Sequence, residues 1–438
     1  MAQHDFSIAN QGFPAFRADL NDALSAIAST SSGTSAPSTP YANQLWMDTT
    51  NHVLKVRNED NDAWISLATF DQASNKITVI NATQISVDGV VYTLPTADGT
   101  SGQFLKTNGS GILSFGSGGA TPYGLFRKTS PDVVAWTKTG AGTATTSSTL
   151  YIEVNGEVKT IASGTSITMP TFSGGTDYAI WAKPDGTLEA TSNHTSPPVT
   201  NSRKVGGFHY APGGNATGTS GGNTTPQINE YSFWDLNFRP ACSDPRGMTL
   251  VGGGFWIDIY LTGVDAITNG SSKYNVTMAD GSSPPKVPTM FGGNGSTTYG
   301  SYTWFEAMEL ATAFGKQCPT QQEFMSAMYG TTEASSIGSD QGSTVLNAAY
   351  TSKWGVVQST GVLWVWGRDR GGAYNTGGWN ANTEGRGSEY NAPNAALFGG
   401  DWSDGSIAGS RCSFWSYSAS NSSGIVGSRF VCDHLQLD

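Results

Sequence analysis

The stretch from Gly361 to Asp438 limits most what this chain can fold into, because it interleaves two residue sets that rarely share one segment. One set reads as frame: Trp364, Trp366, Gly399, Gly400, Trp402, Arg411, Trp415, Gly427 and Arg429. The other fills the gaps with Asn, Ser, Asp and Tyr, groups that antibody combining sites favour for adaptable hydrogen bonds and burial at low entropic loss. From Gly399 to Gly424 there are nine Ser, four aromatics (Trp402, Phe414, Trp415, Tyr417) and no Lys. That mixture suits a contact surface better than a core or a catalytic pocket. Candidate contact residues are Asp401, Ser403, Asp404, Ser406, Ser413, Phe414, Ser416, Tyr417, Ser418, Ser420 and Asn421, with Tyr374, Asn375, Asn380, Asn382 and Tyr390 as a second rank.

Five landmarks run through the last half of the chain in a fixed order: KQCPTQQEF from Lys316, VLWVWGRD from Val362, FGGDW from Phe398, SR at Ser410-Arg411, and GSRF from Gly427. This order resembles the formylglycine-generating-enzyme branch of the C-type lectin fold, with Cys318 where Leu is usual and Ser428 where Phe is usual. The interval between GGDW and GSR resembles, more narrowly, the variable region of phage receptor-binding proteins that diversity-generating retroelements mutate at adenines. Such mutation of Asn codons readily gives Ser, Tyr, Asp, His, Gly and Phe but not Trp. The resemblance therefore implies interchangeable polar tips between fixed tryptophans. The start of the chain, from SIANQGFPAF to TTNHVLKVRN, resembles the virion-proximal part of phage tail fibres. This second resemblance covers roughly the first seventy residues.

A chain of 438 residues is too long for one core and implies several domains in series. Charged residues are 13% and Gly numbers 55, which favours β structure with many tight turns. A formal net charge of -11 argues against a phosphate-binding surface, so nucleic acid is not an expected partner. No apolar run is long enough to span a membrane, and MAQHDFSIAN lacks the start of a secretion signal. Synthesis in a host cytoplasm is the corresponding expectation, and the tail-fibre resemblance implies assembly into a virion. The four cysteines, Cys242, Cys318, Cys412 and Cys432, have no metal-ligand spacing and are read as buried thiols. A Cys412–Cys432 bridge requires their strands to be neighbours.

Taken in order, Phe16, Leu20, Leu24 and Ile27 fall at helical spacing after Pro14, predicting an amphipathic helix over about 14–29. It is too short to stand alone and needs its own domain, copies of itself or a partner to dock on. QLWMD, VLKVR and AWISL predict a thin meander that leaves Trp46 and Trp64 little cover. The tail-fibre resemblance implies that together these are a tail-attachment segment, 1–70. Residues 71–120 alternate apolar and polar positions and read as a shaft closed by symmetric copies, three in number, including a hairpin at the Asn108-Gly109 turn. A β-rich block comes next at 121–214, then a Gly/Ser/Thr linker at 215–227, then a lectin-like α+β domain at 228–438. In the last domain YSFWDLNFRP and GGGFWIDIYLTG read as strands, Thr303 to Gly315 as a helix, and Thr320 with Glu323 as the capping box of a second helix. The fold class is thus mainly β and multi-domain, with a C-terminal α+β lectin-like domain and a trimer expected.

Chemistry offers less. The oxidase activity of the resembled family needs paired cysteines after the GG-x-W strand, and only Cys412 lies there; its iron-dependent branch needs several histidines, and this domain has only His434. Asp177, Asp185, His194 and His209 match no metal spacing and read as turn aspartates and packed histidines. Asp401 and Asp404 raise a glycan hydrolase as the alternative. The expectation is a homotrimeric tail fibre without catalytic residues, metal or cofactor. Its N-terminus would join a tail or baseplate protein, and its C-terminus would bind a protein or glycan receptor on a host surface. A purely structural shaft is disfavoured by the Tyr/Ser/Asn-rich terminus.

Overall fold

The computed structural model describes the chain apart from residues 1–2, 80–83, 88, 100–102, 118–123, 373–378, 382–387, 391–392 and 437–438. Two compact units emerge, 1–120 and 121–438.

In the first unit the predicted helix forms as α1, Phe13–Ala28, with Pro at its first turn. Ala23 and Ala26 are buried, whereas Phe13, Leu24 and Ile27 point outward at 73%, 55% and 65% exposure. The predicted meander gains a fourth strand, an antiparallel sheet of Leu45–Asp48, Val53–Arg57, Trp64–Asp71 and Lys76–Val79. Trp46 is better covered than expected: it is buried, with Trp64 edge-on at 5.2 Å and the Lys55 ammonium 4.6 Å from its ring centroid. Beyond it lie two hairpins, Gln84–Val87 with Val90–Thr93 and Gln103–Thr107 with Leu113–Ser117. In the second, Thr107 pairs Leu113, so the Asn108-Gly109 turn belongs to a five-residue loop with Gly109 and Gly111 both at positive φ.

The second unit opens with a β layer built around strands β1 (Thr176–Ala182) and β2 (Arg203–Ala211), antiparallel partners at the centre of a six-stranded sheet. Trp136, Leu150, Ile152, Ile180 and Phe208 fill its core. The expected linker is docked rather than free. Gly214 and Asn223 form an antiparallel bridge, Ala216 donates to Ser352 O, and Gly221 and Gly222 donate to the carbonyls of Gly330 and Ala348. Gln227–Ile228 and Trp234–Asp235 then extend the β2 edge, which joins the layer to the C-terminal portion of the unit. YSFWDLNFRP is accordingly not one strand: it begins with a 3-10 turn at Glu230–Ser232 capped by the Asn229 side chain.

Among the described residues the remainder has two sheets of three and four strands, a small hairpin of Trp379–Ala381 with Ser388–Tyr390, a short helical turn at Ala266–Asn269 and two longer helices. One sheet holds β3 (Met248–Val251), β4 (Phe255–Asp258) and the C-terminal strand; the other is headed by β5 (Trp364–Gly371), beside β6 (Asn394–Phe398), with β7 (Ser413–Tyr417) at its edge and β8 (Val426–Gly427) pairing parallel to β5. The C-terminal strand is β9 (Val431–Asp433). Helix α2 (Trp304–Ala313) and helix α3 (Gln321–Ala327) both start in capping boxes, Thr303 with Glu306 and Thr320 with Glu323.

Candidate functional site

The frame residues hold the end of this unit in three ways. Trp366 is fully buried and Trp364 nearly so, fixing the start of β5 in the core. Gly399 and Gly400 turn the chain out of β6 at φ of 96° and 81°, and a Cβ on either would meet Phe324 or Ala408 within 3 Å, at 2.8 Å each. Arg429 is completely buried and donates to four backbone carbonyls, those of Asp258, Ile259, Val357 and Gln358. Burial pulls its guanidinium down to about 9, with Asp258 opposing that shift. Ser428, where the resemblance leads one to expect Phe, is buried and joins a hydroxyl network with Tyr302 and Thr262.

Between these anchors the polar segment alternates buried and exposed positions. Asp401 is buried at 2% exposure, pairs with Val362 in a parallel bridge, and accepts both the amide and the hydroxyl of Ser403. The sequence places it on the contact face; it is instead a turn-former, because an Asp that caps its own turn satisfies otherwise orphaned donors. Ser410 is held by the Glu333 carboxylate through its amide at 2.8 Å and through its hydroxyl. Ala419 is buried and its carbonyl accepts the Trp304 amide at 3.1 Å. Between the pins, Ser403, Ser406 and Asn421 are exposed.

Strand β7 alternates in the same sense: Phe414 and Ser416 are exposed, while Ser413, Trp415 and Tyr417 are half-buried. A bulge between the Leu397–Phe414 and Ala395–Tyr417 pairs inserts one extra residue on β7, a device that re-aims side chains at sheet edges. Tyr417 leans on Trp366 at 5.6 Å and on Phe414 at 6.2 Å, and burial raises its phenol. Asp404, Ser418 and Ser420 are also half-buried, the two serines bonded to each other at 3.0 Å.

Of the second rank, Tyr390 is 60% exposed; Tyr374, Asn375 and Asn382 lie outside the described residues, as does the side chain of Asn380. Arg411, expected in the frame, is exposed, so its place between the pinned Ser410 and half-buried Cys412 puts a cation among the tips. Ile407, at 67% exposure, is a further outward residue that the polar pattern does not single out, although a lone Ile in a Ser/Asp/Gly loop is itself a signal. Trp402 and Trp415 are half-buried, consistent with a frame position.

Asp401 and Asp404 do come together, within one turn. Asp404 accepts the Asp401 amide at 2.8 Å, and burial, with the facing Asp401 carboxyl as a further cause, raises its own carboxyl. Asp177 and His209 also meet, as a packing pair: His209 Nδ1 lies 2.9 Å from Asp177 and its Nε2 lies 2.9 Å from the Tyr260 hydroxyl. This links the β layer to the segment after β4. Among the described residues no group of three or more His, Cys, Asp or Glu is placed to hold a metal ion, and no helix is long and apolar enough to cross a membrane.

The family profile described as "Mtd second domain" matches residues 134–235, the β layer. The tail fiber receptor-binding protein of Bordetella phage BPP-1 is 51% identical over 325 residues, covering 72% of this chain and 85% of that one. Among solved structures, the Major Tropism Determinant M1 variant is similar with a TM-score of 0.71 at 42% identity, covering 91% of this chain and 96% of that one. The U1 variant gives 0.70 at 42% identity, with 93% and 99% covered. The mainly β architecture with a C-type-lectin-like end is therefore shared, and this chain belongs to the family of phage tail-fibre receptor-binding proteins that includes the major tropism determinants.

Proposed function

We propose that this chain is the receptor-binding protein of a phage tail fibre, that the tips carried on 403–421 are its contact face, and that they set which host is gripped. The observation that carries this reading is the alternation of pinned and outward residues over a buried Trp/Arg frame. Such a surface can change its tips with little effect on folding, because exposed loop residues contribute contacts rather than core. The retroelement resemblance fits the same arrangement. A receptor-binding role accounts for the tail-fibre relatives, whose names describe binding and not catalysis. Residence in the virion and attachment of the N-terminal unit to a tail or baseplate protein go with it.

The first unit supports a homotrimer. The outward stripe of α1 and the exposed Val90, Val91, Phe104, Leu105 and Ile112 are more apolar surface than a lone small unit usually leaves uncovered. Light scattering on the full chain is expected to give three copies, with Phe104→Ser plus Leu105→Ser shifting it toward smaller species; a monomeric wild type rejects the trimer. Three faces together convert weak single contacts into firm attachment, since later engagements occur at an effective concentration on the order of millimolar.

Competition tests the function directly. Purified full-length chain, added before phage, is expected to block adsorption to a permissive host in a saturable way. Adsorption unaffected at any protein concentration overturns the reading, and release of host polysaccharide fragments favours an enzyme instead.

A further inference from the structure

We propose that Cys242 and Cys432 form a disulfide when the protein leaves a reducing compartment, a modification site that ties the end of the chain to the start of its lectin-like portion. All four cysteines are free thiols here, and Cys432 lies against Cys242 and not, as the sequence leaves open, against Cys412. The two occupy one cluster with Trp234, Met248 and Trp256, while Cys412 packs on a different cluster with Trp366 and Leu397.

The backbone brings the pair into register. Pro240 and His434 face each other in an antiparallel bridge, with Ala241 donating to Asp433 O at 2.9 Å and Leu435 donating to Arg239 O at 2.9 Å. Those bonds flank the Pro240–His434 pair, which makes it a non-hydrogen-bonded pair. Two residues on, the same register carried forward sets Cys242 opposite Cys432 at a position of that kind, where cross-strand side chains approach most closely. The usual Cα spacing there, about 4.5 Å, lies within the roughly 4.4–6.8 Å that a disulfide spans. The Cys242 amide reaches the Cys432 sulfur at 3.1 Å, consistent with that placement.

The reactive order is also set. Cys432, though itself buried, lines an open cleft with Gly315, Lys316, Gln317 and Arg368, the side from which a small reagent would approach. Its hydrogen bond with Cys242 lowers its thiol, against the effect of burial and with help from the Lys316 ammonium, and the cleft is lined by Cys432 and not by Cys242. Cys432 is thus the attacking sulfur and Cys242 the resolving one. Burial pushes Cys318 up to about 12 and Cys412 up to about 11, which keeps both as thiols.

With a low-molecular-weight disulfide as oxidant, the Cys432 thiolate attacks one of its sulfurs and expels one thiolate, which takes up a proton. Cys242 then loses its proton, attacks the Cys432 sulfur and expels the second small thiol. Two protein thiols become one disulfide, and the oxidant is reduced to two thiols. The bond closes a loop between positions 190 residues apart, so it constrains the unfolded chain over nearly the whole lectin-like portion.

Oxidised glutathione on the full-length chain, followed by digestion without reduction, tests this. A linked peptide pair carrying Cys242 and Cys432, lighter by two hydrogens than its parts, is expected, with two titratable thiols left. The melting midpoint should rise and fall back on reduction. Four thiols retained, a stable glutathione adduct on wild-type Cys432, or a bridge through Cys318 or Cys412 overturns the proposal. Cys242→Ser should instead trap the adduct on Cys432; if that variant does not fold, the wild-type mapping still decides.

Discussion

Arg429→Ala is expected to destabilise the second unit by about 4 kcal/mol, lowering its melting midpoint by roughly 10 °C. The side chain is completely buried and its four hydrogen bonds go to carbonyls on two separate segments, 258–259 and 357–358. Removing it takes a charged donor from each of those buried carbonyls, of which Ile259 O keeps the Val357 amide, and a buried polar group that loses its partner has no hydration to replace it. Arg429→Lys should recover only part of the loss, because an ammonium has three donors and no planar fork to span both segments. Thermal unfolding followed by near-ultraviolet circular dichroism reads both; an Ala variant that melts with the wild type would mean that Arg429 holds nothing in place.

Lys316→Met is expected to cost about 3–5 kcal/mol by the same measurement. Its ammonium sits 2.6 Å from Asp258 and 2.8 Å from the Ser271 hydroxyl, and both partners of the ion pair are buried. Burial works to lower the Lys316 pKa, but Asp258 outweighs it and the ammonium is held above its usual value. Methionine fills similar space, so the loss reports mainly the uncompensated carboxylate and not a cavity. The raised pKa fixes the sign: this contribution is fully present below the unfolded value and is lost as the pH rises through the folded one. A Met variant within about 0.5 kcal/mol of wild type would contradict it.

These two residues show what is legible in the sequence. Arg429 stands in a landmark and reads as frame, and the structure puts it in the core. Lys316 stands in a landmark too, yet its partner Asp258 lies in β4, 58 residues away, and no local pattern signals such a pair. The same distinction explains the other differences. The Thr320–Glu323 cap is readable because it is local, and the Thr303–Glu306 cap that the structure adds has the same spacing. The Gly/Ser/Thr run at 215–227 reads as a tether because its composition lacks apolar groups, but its backbone finds donors and acceptors in 330–352. Asp401 and Arg411 exchange roles for a related reason: exposure in a long loop depends on which residue closes a turn, and that is set by the neighbours the turn packs on.

The most direct measurement changes the tips and leaves the frame. In the full-length chain, Ser406→Ala, Phe414→Ala, Ser416→Ala and Asn421→Ala together should reduce attachment to permissive cells at least tenfold, about 1.4 kcal/mol, while the melting midpoint stays with the wild type. Attachment unchanged in a variant that folds normally would mean that the grip lies elsewhere on the molecule.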